Sequence, residues 1–178
     1  MTATLAAVAR ADRALGTSSL PPLWAAFQKA MAGHTDAAGL PISEVTGASA
    51  TSSLPRGSAL SFSVRYLVEV DRAYAAALWQ RYVSTYFIDV GPFAGMREWP
   101  AGVDRAADVD SGPIVGGAGA AATAFGIIAA ATVGDDEARR NLQATRDLAY
   151  ELDMAGETAE TTLAKAIEDF GRQMTPAR

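Results

Sequence analysis

Between Asp110 and Asp135 the chain carries no charged residue. A stretch of that length must be covered, either by the rest of a fold or by lipid. About twenty apolar residues suffice to span a bilayer, and Gly112, Gly116 and Ala120 have the small-xxx-small spacing of membrane packing. The run is mostly Ala and Gly, however, which insert weakly. Its flanks are the acidic Asp108, Asp110, Asp135 and Asp136, with no Lys or Arg anchor close by. The reading is therefore a buried helix, with a membrane span as the alternative. It starts at Ser111-Gly112-Pro113, where an early proline sacrifices no hydrogen bond, and runs to Val133. Gly134-Asp135-Asp136 then reads as a stop followed by an N-cap.

The remaining pattern is helical almost throughout, and no strand shows convincing alternation. An Ala-rich helix covers about 3–15. Ser18-Ser19 before Pro21-Pro22 marks a second start, with Leu23, Trp24, Phe27 and Met31 on one face. A segment rich in Ser, Thr, Gly and Pro follows, and Arg56-Gly57-Ser58 opens a helix to about Val68. Asp71 caps a helix over about 72–90, in which Tyr74, Leu78, Tyr82 and Tyr86 recur at i+4 beside Ala75, Trp79, Val83 and Phe87. Gly91-Pro92 ends it. A charged amphipathic helix covers about 136–155 with Leu142, Leu148 and Leu152 inward. A last one covers about 158–172 with Leu163, Ile167 and Phe170 inward. Length and composition, 178 residues with 49% hydrophobic and 20% charged, fit a single all-α domain over 1–178. It divides into N-terminal helices (1–34), an irregular segment (35–56) and helical hairpins in two layers (57–175).

Several functions are disfavoured by what the chain lacks. The net charge of −5, with Lys29 and Lys165 the only lysines and no basic run, argues against nucleic acid. With no cysteine, disulfides, thiolate metal sites and Cys nucleophiles drop out. A histidine metal site or triad would rest on His34 alone, which reads as an exposed helix C-cap, so no metal is expected. Gly116-Gly117-Ala118-Gly119 falls inside the helix pattern and lacks the lysine of a phosphate loop, so no nucleotide cofactor is expected. The N-terminus lacks a basic region followed by an apolar one, which points to a cytoplasmic protein.

Chemistry-bearing side chains gather from Arg97 to Asp110. Asp108 and Asp110 precede the expected helix, where capping is the simpler role; facing a cavity, either could serve as acid or base, as could Glu98. Arg97 either pairs with these carboxylates or binds a substrate carboxylate or phosphate. Trp99 is a packing or stacking surface. Arg56 sits at another helix mouth. Tyr82 and Tyr86 belong to an aromatic core stripe from which one hydroxyl could reach the same space.

Pro55-Arg56-Gly57-Ser58-Ala59-Leu60-Ser61, Phe87-Ile88-Asp89, Arg97-Glu98-Trp99-Pro100, Asp108-Val109-Asp110-Ser111-Gly112-Pro113 and Ala122-Thr123-Ala124-Phe125-Gly126 occur in that order. Over roughly residues 35–155 this resembles the linalool dehydratase/isomerase-like proteins, which are (α/α)6 toroids with the active site in a central cavity. The resemblance is to the C-terminal half, so it implies a partial toroid completed by a second copy or a partner chain. It also implies a cofactor-independent lyase or isomerase acting on a small apolar, terpenoid-alcohol-type substrate. Catalysis would fall to Asp108, Asp110 and Glu98, and substrate binding to Arg56, Arg97, Trp99, Tyr82 and Tyr86. The family's active-site cysteines have no counterpart here. A carbohydrate-active toroid and a non-catalytic half-toroid subunit or binding module are the alternatives.

Overall fold

Gly116 and Gly117 divide the uncharged run in two. The computed structural model describes residues 1–44, 54–90 and 93–154. In chain order the elements are α1 (Thr2–Leu15), α2 (Leu20–Met31), α3 (Gly57–Leu67), α4 (Arg72–Tyr86), β1 (Phe87–Val90), β2 (Phe93–Met96), β3 (Ile114–Val115), β4 (Ala118–Gly119), α5 (Ala120–Val133) and α6 (Asp136–Met154). The described chain is thus mostly helical, and two short antiparallel hairpins correct the strand-free expectation. The reading of 158–172 as a helix lies outside the described residues, as does Gly91-Pro92.

β3 and β4 pair with Ile114 opposite Gly119 and Val115 opposite Ala118. Gly116 and Gly117 join them with φ of 56° and 85°. Positive φ at both central positions gives a primed two-residue turn, whose twist matches antiparallel strands and which a Cβ would strain. The expected helix start at Ser111-Gly112-Pro113 is therefore displaced to Gly119, the observed N-cap, and Gly116–Gly119 form a hairpin, not a helix. Neither the Asp110 nor the Ser111 side chain caps α5, but Ser111 O accepts from Ala121 N–H in its first turn at 3.0 Å. What remains of the apolar run, α5, is about 21 Å long, and no described helix is long and apolar enough to cross a membrane.

The second hairpin corrects the expected helix over 72–90. α4 stops at Tyr86, and β1 pairs with β2 from Phe87 opposite Met96 to Val90 opposite Phe93. On its other edge β2 has donors that the sheet leaves open. Thr145 Oγ1 accepts from Ala94 N–H at 2.6 Å and Thr123 Oγ1 from Met96 N–H at 3.1 Å. Hydroxyls from α6 and α5 thus take the place of a third strand and close the edge.

The core lies where α3, α4 and α5 meet. Leu60, Val64, Leu78, Trp79, Tyr82 and Tyr86 are buried there with Met96 and Leu142, and each large apolar side chain contributes about 2 kcal/mol through lost apolar exposure. α5 packs closely because its buried stripe, Ala122, Gly126 and Ala130, is small. A Cβ on Gly126 would lie 2.8 Å from Met96 Cγ. Asp71 caps α4 as expected, its Oδ1 accepting from Tyr74 N–H at 2.9 Å. Gly134 is the left-handed end of α5, and Asp135 Oδ1 accepts from Ala138 N–H at 3.0 Å. α2 begins at Ser19 with two prolines behind it, but its cap comes from Asp12 of α1. Asp12 Oδ2 accepts from the N–H groups of Ser19 and Leu20, both at 2.7 Å. His34 lies past the C-cap Ala32 and is half-buried, not exposed.

Candidate functional site

Arg97 is the joint between the two hairpins. Its N–H donates to Tyr86 O at 2.8 Å, and it bridges to Ala118 on the other side. The next residue is held in the same way: Glu98 N–H donates to Gly117 O at 3.2 Å, and Glu98 O accepts from Gly57 N–H at 2.9 Å. This brings the segment after β2 against the first turn of α3. The approach is so close that a Cβ on Gly57 would fall 1.8 Å from Arg97 O.

Glu98 is fully buried beneath that turn. Its Oε1 accepts from Arg56 Nε and from Ser58 Oγ, each at 2.8 Å, and its Oε2 from Ser58 N–H at 3.2 Å. A carboxylate is thus placed on the free N–H groups and positive dipole end of α3, in the position a local capping side chain would take. Gly119 leaves room for it, since a Cβ there would sit 2.9 Å from Glu98 Cβ.

The other end of Arg56 reaches Asp108. Arg56 Nη2 donates to Asp108 Oδ1 at 2.9 Å, and the same oxygen accepts from Ser111 N–H at 2.8 Å and Asp110 N–H at 3.1 Å. The Arg56 hydrogen bond, then the backbone donors, lower the pKa of Asp108. Burial costs the Arg56 guanidinium most, but its bonds to Asp108 and Glu98 outweigh that cost and raise its pKa. Glu98 and Asp108 are therefore both acceptors for one arginine. Asp110 is exposed.

Two cavities flank this network. A groove of about 630 Å³ runs along α3, with Arg56, Ser58 and Asp110 toward the helix N-terminus and Leu67 and Leu78 toward its C-terminus; Phe27 and Met31 of α2 line it as well. A second cavity of about 350 Å³ holds Arg97, Trp99, Asp104 and Arg105. The Trp99 ring lines the second cavity, with the Arg56 guanidinium 5.0 Å from its centroid and that of Arg105 at 4.8 Å.

The predicted site residues are accordingly divided. Arg56, Glu98 and Asp108 form one ion-paired unit, and Arg56 and Asp110 line the groove. Arg97 and Trp99 belong to the second cavity. Tyr82 and Tyr86 lie under α3, away from the groove lining. Tyr86 Oη donates to Pro55 O at 2.8 Å. Tyr82 Oη lies 2.9 Å from both Gly57 O and Ser61 Oγ, and Ser61 Oγ lies 2.9 Å from Ala122 O. These three contacts share two hydroxyl hydrogens. Burial raises the pKa of both tyrosines. Ser58 and Arg105 are site residues that sequence reasoning missed. Ser58 was already part of the Arg56-Gly57-Ser58 helix start, where a hydroxyl beside free N–H groups was the available signal. Arg105 carried no signal beyond its place in the loop. Among the described residues no group of three or more His, Cys, Asp or Glu is placed to hold a metal ion. No family, curated protein or solved structure matches the chain.

Proposed function

We propose that the groove along α3 binds a small, elongated, mostly apolar molecule with a polar end. The observation that supports this is the gradient along its wall. Arg56, Ser58 and Asp110 sit at one end of α3, while Leu67 sits at the other, about 16 Å from Arg56 along the helix. A volume of about 630 Å³ is that of a small-molecule site. An alcohol of the terpenoid class fits this gradient, with its hydroxyl toward Asp110 and its hydrocarbon toward Phe27, Met31 and Leu67.

The lyase or isomerase reading extends the same proposal, and its support is narrower. Of the three candidate carboxylates only Asp110 lines the groove, and among the described residues no donor engages its side chain. Acid/base work on a bound alcohol would fall to Asp110, with Glu98 and Asp108 positioning Arg56. The partial (α/α)6 toroid belongs here too. Its support is the pairing of an uncharged helix, α5, with a charged amphipathic one, α6.

Calorimetric titration with a monoterpenoid alcohol tests the binding site. The wild-type chain is expected to bind, and Ser63→Trp, which fills the groove from a half-buried position of α3, is expected to lose binding at an unchanged thermal midpoint. Absence of binding to the wild type, or equal binding by the filled variant, overturns the assignment. Full turnover by Asp110→Asn would remove the acid/base role while leaving the groove in place.

A further inference from the structure

Among the described residues Arg97 and Arg105 have no carboxylate partner. Glu98 and Asp108 both pair with Arg56 instead. Yet Arg97 and Arg105 line the same cavity of about 350 Å³. Arg97 is half-buried, and its backbone is fixed on both sides by the two hairpins. The turn preserves space for its side chain, since a Cβ on Gly117 would lie 2.9 Å from Arg97 Nη1. Arg105 is held flat against Trp99. Trp99 lines the same cavity, and its Nε1 is closed off from solvent with no acceptor among the described residues. Asp104 is the one carboxylate among the lining residues, so two arginines less one aspartate leave a single positive excess.

We infer that this cavity is an oxyanion site, separate from the apolar groove, that takes the carboxylate or phosphate group of a small molecule. Arg97 and Arg105 supply forked donors, the geometry that suits both groups. The groups lining the remainder, Pro100, Val103, Ala106 and Ala107 among them, are small and apolar, so the anion's substituent is compact. Arg56 does not join the site, because it is not part of the cavity lining. Trp99 lines this cavity and reports on it.

The test is titration of the full chain with inorganic phosphate and, separately, with acetate, following the three indole ¹⁵N–H signals, that of Trp99 being assigned by its loss in Trp99→Phe. Saturable movement of the Trp99 signal with either anion is expected. Movement with phosphate alone assigns a phosphoryl ligand, and movement with acetate alone a carboxylate. Arg105→Gln, an exposed position whose change leaves the fold intact, is expected to weaken binding about tenfold, the loss of one charge-assisted pair. Arg97→Gln is expected to do the same, and monoterpenoid alcohol binding in the groove stays unchanged in Arg105→Gln. No movement of the Trp99 signal with either anion overturns the inference, as does movement that Arg105→Gln and Arg97→Gln leave at full affinity.

Discussion

Glu98 is an ionic side chain with no exposure to water, and its neighbours are arranged to make that tolerable. Three donors from Arg56 and Ser58 converge on it, while Gly57 and Gly119 lack the Cβ atoms that would collide with the segment carrying it. Removing the acceptor leaves Arg56 mostly buried with half its partners gone and uncaps the first turn of α3. Glu98→Ala is therefore expected to lose about 3–5 kcal/mol of stability, the cost of breaking a buried pair. Glu98→Gln should lose less, because the amide keeps the shape and one acceptor oxygen. Urea denaturation measures both, and a loss below about 1 kcal/mol for the alanine variant would mean that the network carries little stability. The sequence put Arg56, Glu98 and Asp108 on one list of candidates. It could not show that they satisfy one another, because Arg56 is 42 residues from Glu98 and 52 from Asp108. Such pairing belongs to tertiary structure: the two carboxylates, read separately in the sequence, hydrogen-bond one guanidinium.

Helix boundaries were readable where a residue type enforces them. Asp71, Gly134 and Pro21-Pro22 stand where the sequence reading put them, because each satisfies or removes a specific backbone donor or conformation. The hairpins were not readable. Phe87 continues the i+4 row of α4, and strands of two residues are too short to show alternation. The N-terminal helix pair is attached by burial of Leu5, Ala6 and Ala9 of α1 and by charge. No residue of α2 is fully buried; Asp12 caps its start, and Glu69 gathers Arg10, Arg13 and Arg65 against the end of α3. The Arg10 hydrogen bond lowers Glu69 to a pKa of about 2, and the Thr17 hydrogen bond lowers Asp12 to about 2. Both values are depressed on folding. Their contribution is thus fully present above the ordinary carboxylate range and is lost as pH falls through about 4 toward 2. Pepsin, active across that window, should cleave Glu69→Gln within residues 1–31 faster than wild type at pH 4, with the rate ratio falling toward one near pH 2. A ratio that is flat with pH would assign the attachment to packing.

At the scale of the whole molecule, α5 presents one face inward and leaves another uncovered. Phe125 and Ile128 are 38% and 45% exposed, next to Phe62 of α3 at 37%. A second copy completing the ring would cover that face, and light scattering would then give a dimer mass that Ile128→Glu reduces to a monomer without lowering the thermal midpoint. A monomeric wild type removes the ring completed by a second copy and leaves the groove and the oxyanion cavity as properties of a single chain. The joining of α3 to the segment after β2 also bears on how the chain folds. The first turn of a helix is ordinarily a local event, settled within about a microsecond by its own neighbours. Here the N–H groups that open α3 bond to a residue 40 positions downstream, and loop closure over that distance comes before any return from the contact. The start of α3 therefore keeps the time of the whole chain's assembly: its first turn is complete only when the two hairpins are.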